Sequence, residues 1–307
     1  MKALKHLKIA VLAVVGLVSV ETRAQLAPMG SIYFNNQYLN NPAYAGRETG
    51  FRGDFGYRQQ WSSLPGSPKT QVITATYGLS EKSGVGMNFY NDEAGLIKRT
   101  RLMGTYAYHL PLNTEGHKLS FGVSFGYMDE NLDYSRMDGD AGDQSVVNFN
   151  QRSVYVDGDF GVAYTGSRLS LQASVPNLKS FFNRDNRAGN IVDEARFYTA
   201  ASYKIDLSEN EEGNVLEPMV AIRSVRGYDN MIDAGANLIM AGNKMNIMAM
   251  YHSSQNATLG LGVKCLDAFW ISGLYSSGST TFRGETSGNF ELNLKVLLKK
   301  RKDNGFW

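Results

Sequence analysis

Apolar and polar residues alternate one by one along most of this chain after residue 50. In the first such stretch Phe51, Phe55 and Tyr57 fall on one face, with Arg52 and Asp54 on the other. The stretch 119–127 has leucine, valine and aromatic residues at odd positions and only serine and glycine at even ones. A two-residue period with two unlike faces is typical of a β-strand between two different environments.

Similar segments recur up to Val296 and predict about fourteen strands of about nine to eleven residues, the length at which a tilted strand crosses a bilayer. Tight turns at 166–167, 241–243 and 266–267 alternate with longer loops at 129–153, 177–193 and 276–286. We therefore predict an all-β fold, a transmembrane antiparallel outer-membrane β-barrel with its long loops outside. An even number of strands places both termini in the periplasm.

A soluble β-sandwich is the main alternative fold, because its strands also alternate. The apolar face of a sandwich is buried, however. Here that face carries tyrosine and phenylalanine near the strand ends, like an aromatic girdle, and the opposite face carries charges. This distribution favours the barrel.

The first residues have the pattern of an export signal. Lys2, Lys5 and Lys8 precede an apolar core at 9–20, which is too short to span a membrane. A small-residue site at 22–24 predicts cleavage before Gln25. We accordingly divide the chain into a signal peptide (1–24), an N-terminal periplasmic or plug segment (25–48), the barrel (49–298) and a basic periplasmic tail (299–307).

The charge balance argues against a nucleic-acid partner, because 31 basic residues nearly offset 29 acidic ones. On the predicted strands both signs face inward, including Arg58, Arg223, Asp233 and Glu291. Such a mixture predicts a lumen filled by ion-paired side chains or by a plug, with a hydrated lumen as the alternative. The single cysteine, Cys265, cannot form an internal disulfide and is expected to pack as a small apolar residue.

No motif indicates catalysis or a bound cofactor. Residues 122–126 match the Gly-x-Ser-x-Gly elbow of serine hydrolases, but they lie in the middle of a strand. His109, His117 and His252 fall on distant strands, so we expect no metal site from them. Residues 138–143 resemble part of a calcium loop without its closing glutamate. We predict that the protein is not an enzyme.

The region 41–70 resembles the N-terminal signature of one known family. It reads Asn41-Pro42-Ala43-x-Ala45-Gly46, then Tyr57-Arg58-x-Gln60-Trp61, then Pro65-Gly66-x-Pro68-x-Thr70. This combination is similar to the PorP/SprF membrane proteins of the type IX secretion and gliding-motility systems of Bacteroidetes. The signal peptide, the overall length and the closing strand 289–295 agree with that resemblance. The basic extension ending in Trp307 departs from it.

The resemblance implies a non-catalytic barrel that works with the secretion machinery. Its partners would be outer-membrane lipid, periplasmic apparatus proteins, and a secreted cargo or surface adhesin. The alternatives are a channel for small or hydrophobic solutes and an outer-membrane enzyme. Our candidates for partner binding or for latching a plug are Asn41, Pro42, Gly46, Arg58, Gln60, Trp61, Phe181 and Phe182.

Overall fold

A computed structural model of the 307-residue chain describes residues 29–60, 66–133, 154–179, 195–208, 213–225, 230–278 and 288–299. Within them, antiparallel strands close into a barrel. The strand pieces are β1 (Gly50–Gln60), β2 (Lys69–Gly78), β3 (Ser83–Ala94), β4 (Ile97–Pro111), β5 (Lys118–Leu132), β6 (Tyr155–Thr165), β7 (Leu169–Val175), β8 (Ala195–Tyr203), β9 (Ile205–Asp206), β10 (Val215–Val225), β11 (Met231–Met240), β12 (Met245–His252), β13 (Asn256–Cys265), β14 (Phe269–Ser276) and β15 (Asn289–Lys299).

Each strand pairs with its neighbours in the sequence, and β15 pairs with β1 along the whole of Gly50–Gln60. β8 and β9 both pair with β10, so they form one barrel strand interrupted at Lys204. The described residues therefore form a closed barrel of 14 strands. This confirms the prediction of an all-β outer-membrane type of fold.

The alternation in sequence becomes an outer and an inner face. On β2, Ile73 and Tyr77 are exposed on the outside, whereas Val72, Thr74 and Thr76 are buried inside. Because a two-residue period places successive side chains on opposite faces, every strand contributes to both surfaces. Exposed aromatic residues lie near both ends of the outer face. They are Phe51, Tyr77, Tyr108, Tyr203 and Phe269 near one end and Tyr127, Tyr251, Tyr275 and Phe290 near the other.

The two ends of the barrel differ in their connections. At the end where β1 begins, the connections are short, for example 166–168, 241–244 and 266–268. We call this the short-turn end. The opposite, long-loop end carries the connections 133–154, 176–194 and 277–288. The loop predicted at 129–153 begins later than expected, because β5 continues to Leu132.

The residues before β1 lie inside the barrel. We call residues 29–48 the inner segment. It contains three 3-10 turns, at Gly30–Ile32, Gln37–Leu39 and Pro42–Tyr44. Tyr33, Asn41, Ala43 and Ala45 in it are fully buried. The described residues contain no helix that is long and apolar enough to cross a membrane. The predicted signal peptide, and the predicted tail beyond Lys299, lie outside the described residues.

Candidate functional site inside the barrel

The inner segment runs along the barrel from one end to the other. Gly46 lies against Gly78 and Gly84, which are the last residue of β2 and the second of β3, at the short-turn end. The backbone of Gly30 binds Glu291, the third residue of β15 from the long-loop end. Two groups of contacts, one near each end, fix the segment, and they differ in chemistry.

Near the short-turn end, Asn41 is the central contact. Its Oδ1 accepts a hydrogen bond from the Ala43 N–H at 3.0 Å and caps the third 3-10 turn. Its Nδ2 faces the carbonyl oxygens of Val162 at 3.2 Å and Ala173 at 3.3 Å, and Gln172 Oε1 at 3.4 Å. One buried amide thus closes a local turn and joins it to β6 and β7.

Glycines of the barrel wall make room for this part of the segment. A Cβ added to Gly122 would overlap the backbone of Pro42, and one added to Gly161 would overlap the side chain of Asn41. A Cβ on Gly84 would overlap the Ala45 carbonyl oxygen in the same way. The wall therefore has a depression that fits the backbone of the segment. We call it the glycine cradle, comprising Gly78, Gly84, Gly86, Gly122 and Gly161.

The end of the segment is also held by its backbone. His109 Nε2 donates to the Ala45 carbonyl oxygen at 3.1 Å, and Nδ1 of the same ring lies 2.9 Å from Ser120 Oγ. A carbonyl can only accept, so Nε2 carries the proton. Gly46 follows with φ of 61°, in the left-handed region that favours glycine. It turns the chain toward Gly50, where β1 begins.

Near the long-loop end, a carboxylate holds the start of the segment. Glu291 accepts from the Gly30 N–H at 2.8 Å and from the Ser31 N–H at 3.0 Å. These N–H groups open a short turn and have no partner within it. Asn293 Nδ2 donates to the same carboxylate at 2.9 Å and orients it.

Tyr33 forms the second contact at this end. Its hydroxyl donates to Asp233 Oδ2 at 2.7 Å, and Arg223 Nε donates to the same oxygen at 2.7 Å. His252 Nδ1 lies 2.8 Å from Asp233 Oδ1. Asp233 and Tyr33 are fully buried, so this carboxylate is compensated by three donors.

The hydrogen bonds continue beyond His252. Its Nε2 lies 2.9 Å from Thr258 Oγ1, which lies 2.7 Å from Ser276 Oγ. A hydroxyl, an imidazole and a carboxylate in this order resemble the arrangement of an acyl-transfer triad. Thr258 is buried, and its methyl group packs beneath Gly30. The geometry orients His252 against Asp233 and covers the hydroxyl with the inner segment.

Polar contacts also join the middle of the segment to the wall. Tyr38 Oη lies 2.7 Å from Thr105 Oγ1, and Asn36 Nδ2 donates to Thr74 Oγ1 at 3.0 Å. Arg52 on β1 donates to the Asn35 carbonyl oxygen. Tyr33 packs in an apolar cluster with residues of β8 and β10, including Tyr198 and Met219. With these, and with Leu274 of β14 beside Gly30, the segment contacts residues from every barrel strand.

Other inward side chains of the wall form ion pairs with one another. Arg52 Nε lies 2.8 Å from Asp54, Arg99 Nε lies 2.9 Å from Glu130, and Arg101 contacts Asp159. The described residues contain no group of three histidine, cysteine or acidic side chains able to hold a metal ion. The predicted burial of Cys265 is wrong, because it ends β13 beside a turn and is exposed.

The structure brings together some of the predicted site residues. Asn41, Pro42 and Gly46 all lie in the glycine cradle. Arg58 is buried and lies opposite Glu291 in the β1–β15 pairing, and the Gln60 N–H donates to the Pro68 carbonyl oxygen at 2.9 Å. A latching role for Arg58 and Gln60 stays a prediction. Trp61, Phe181 and Phe182 lie outside the described residues, as does the possible calcium loop.

Several residues of the site were not selected from the sequence. Tyr33 belongs to no sequence motif, His109 stands out only as one of three separate histidines, and Gly122 only as the first residue of the Gly-x-Ser-x-Gly match. A usable signal existed for the wall, since Gly122 and Gly161 are inward positions that lack a side chain. Inward glycines on neighbouring strands indicate close approach of another backbone. The inward glycines do not identify which segment of the chain packs against them.

Comparison with known proteins agrees with this architecture. The family described as "Type IX secretion system membrane protein PorP/SprF" matches residues 22–296. No curated protein matches the chain.

Two outer-membrane proteins of known structure are similar to this chain. The toluene transporter TodX of P. putida is 10% identical with a TM-score of 0.50, covering 87% of this chain and 95% of that one. The outer membrane protein Omp33 of Acinetobacter baumannii is 10% identical with a TM-score of 0.46, covering 82% of this chain and 100% of that one. At this identity the likeness to TodX shows the fold alone.

Proposed function

Since the chain belongs to the PorP/SprF family of type IX secretion system membrane proteins, we propose that it serves this system as a non-catalytic barrel that binds other proteins. The observation that supports this role is the inner segment. It contacts every barrel strand and lies where a solute would have to pass. A barrel occupied in this way suits a scaffold in the outer membrane better than an open pore.

The two ends of the barrel offer two binding surfaces. We propose that the long-loop end faces outward and meets a secreted cargo or surface adhesin, with Phe181 and Phe182 among its contacts. The short-turn end faces the periplasm and meets apparatus proteins, with the basic tail 299–307 nearby. Cleavage of residues 1–24 and a role in gliding belong to the same proposal. In this proposal residues 29–48 close the lumen between the two surfaces.

The alternative function is a channel for small or hydrophobic solutes. It would require the inner segment to leave or to move aside, because Gly30 binds Glu291 near one end of the barrel and Gly46 lies against Gly84 near the other. The relevant measurement is ion conductance of the purified protein in planar bilayers. We expect it to stay closed, and steady open-channel current would favour the channel.

The experiment that tests the secretion role is a strain that lacks this chain. It should fail to secrete type IX cargo or to display gliding adhesins, while uptake of small solutes stays normal. Complementation with the unaltered chain should restore whichever of secretion and adhesin display was lost. Intact secretion and adhesin display in the deletion strain would refute the proposal. If secretion or adhesin display is lost in the deletion strain, a pull-down from native membranes with mass spectrometry would identify the partners.

A further inference from the structure

We propose that the glycine cradle is a peptide-binding site, occupied here by the chain's own Asn41–Gly46, and that it also accepts an uncharged segment of the same chemistry from a periplasmic partner. This rests on the proposed function, because it supplies the binding site through which such a barrel would engage another protein. The ligand is a peptide of the pattern Asn-Pro-small-Tyr-small-Gly, bound as a 3-10 turn that its asparagine caps.

The shape of the cradle selects a peptide backbone. Side chains at Gly122 and Gly161 would overlap Pro42 and Asn41, and one at Gly84 would overlap Ala45. An ordinary strand fills these inward positions with side chains. Their absence on β3, β5 and β6 leaves room for one closely packed chain, and small residues at positions 43 and 45 of that chain keep it near the wall.

Polar groups of the wall around the cradle recognise a peptide as well. Ser174 Oγ donates to the Asn40 carbonyl oxygen at 2.7 Å, and His109 donates to the Ala45 carbonyl oxygen at 3.1 Å. The carbonyl oxygens of Val162 and Ala173 receive the Asn41 amide. His109, Ser174 and Gln172 are at least nine-tenths buried, so they are fixed parts of the inner wall and not mobile surface side chains.

The location of the cradle gives access from the short-turn end. Tyr44 Oη lies 3.3 Å from Ser170 Oγ, and Ser170 is the second residue of β7 at that end. The chain then emerges through Glu48 and Thr49, which are exposed. Residues 29–46 carry no charge, so release of the segment breaks hydrogen bonds but no ion pair. A competing peptide can enter from the periplasmic side.

The test uses the full-length chain in detergent with Asn41→Lys, which places an unpaired charge in the cradle and should release the native segment. Release is read by chymotrypsin cleavage after Tyr38 and Tyr44, which are buried while the segment is bound, and barrel folding by heat-modifiable migration on gels. The probe is a fluorescent, N-acetylated peptide with the sequence of residues 38–46. We expect saturable binding to this variant and at least tenfold weaker binding to the unaltered chain, whose own segment competes.

Two controls separate the cradle from non-specific binding. The same peptide with alanine in place of Asn41 should bind about tenfold or more weakly, since it loses several hydrogen bonds worth about fivefold each. Adding Gly122→Val to the Asn41→Lys chain should abolish binding. If that chain does not fold, Gln172→Ala with Ser174→Ala keeps the backbone and should weaken binding by about five- to thirtyfold.

Several results would overturn the proposal. They are the absence of saturable binding to a folded, released Asn41→Lys chain, equal binding of the alanine peptide, and binding that is indifferent to the cradle variants. Resistance of Tyr38 and Tyr44 to chymotrypsin in the Asn41→Lys chain would do so too, because such a cradle would not select an uncharged segment. None of these results alters the deletion-strain test of secretion, so the two proposals fail separately.

Discussion

Replacing Tyr33 with phenylalanine should loosen the start of the inner segment without unfolding the barrel. The substitution removes one hydroxyl and leaves the ring in its apolar cluster. The lost bond is the 2.7 Å donation to the Asp233 carboxylate, in a site where both residues are fully buried. Asp233 keeps Arg223 and His252 as partners, so its charge stays compensated.

The expected magnitude follows from the type of bond. Hydrogen bonds to charged groups contribute about 1.5–3 kcal/mol. If the segment start opens locally while the barrel stays closed, this loss raises the open fraction about ten- to a hundredfold. Global stability of the barrel should change less, because its strand pairing is untouched.

The assay is thiol labelling of a buried reporter. Ser31→Cys places a cysteine in the first 3-10 turn, where Ser31 is buried. Cys265 is exposed and must first be changed to serine. In this background the rate of maleimide labelling reports how often the segment start opens. Tyr33→Phe should raise that rate by the factor given above.

A matched control lies in the same cluster. Tyr198 is also buried, and its hydroxyl has no hydrogen-bond partner among the described residues. Tyr198→Phe removes the same atom from the same surroundings without breaking a bond, so the labelling rate should stay within about twofold, as for a near-neutral change. Equal acceleration by the two substitutions would show that the Tyr33–Asp233 bond does not hold the segment.

Three further outcomes test other features. Gly122→Ala should lower the melting temperature of the barrel measured by circular dichroism, since overpacking costs about 1–3 kcal/mol; Gly273→Ala, where nothing lies within 4 Å of the added Cβ, should not. Val220→Arg on the outer face should cost about 2–4 kcal/mol in denaturant unfolding from lipid vesicles, whereas Leu266→Arg in an exposed turn should cost little. An epitope tag between β5 and β6 should be detected on intact cells and one between β9 and β10 only after permeabilisation; the reverse pattern would invert the topology.

The barrel could be predicted from sequence because its information is local. Each strand carries its own two-residue alternation, and a run such as 119–127 needs no distant residue to indicate which face is outside. Strand ends were less certain. β5 extends past Asp129 to Leu132, because pairing with the neighbouring β4 decides where it stops.

The contacts of the inner segment could not be predicted in the same way. Its Asn-rich sequence has no period, and each of its partners is a single inward residue on another strand. Asn41 and Gly46 were selected through a resemblance, not through the contacts they make. Tyr33 meets Asp233 and His252 only once β11 and β12 stand side by side. No pattern along the sequence predicts the contact of Tyr33 with Asp233 and His252.

The bond between Gly30 and Glu291 has a consequence for the order of assembly. The two residues are 261 positions apart, and Tyr33 and Asp233 are 200 apart. Contacts of such separation form late, because nearly the whole chain must be in place before they bring any gain. The inner segment, which precedes all the strands in the sequence, therefore stays unsecured until the last strand is in place. Until then its Asn-rich stretch and the unpaired edges of β1 and β15 are exposed together, and this is the interval in which an assembly factor has most to protect.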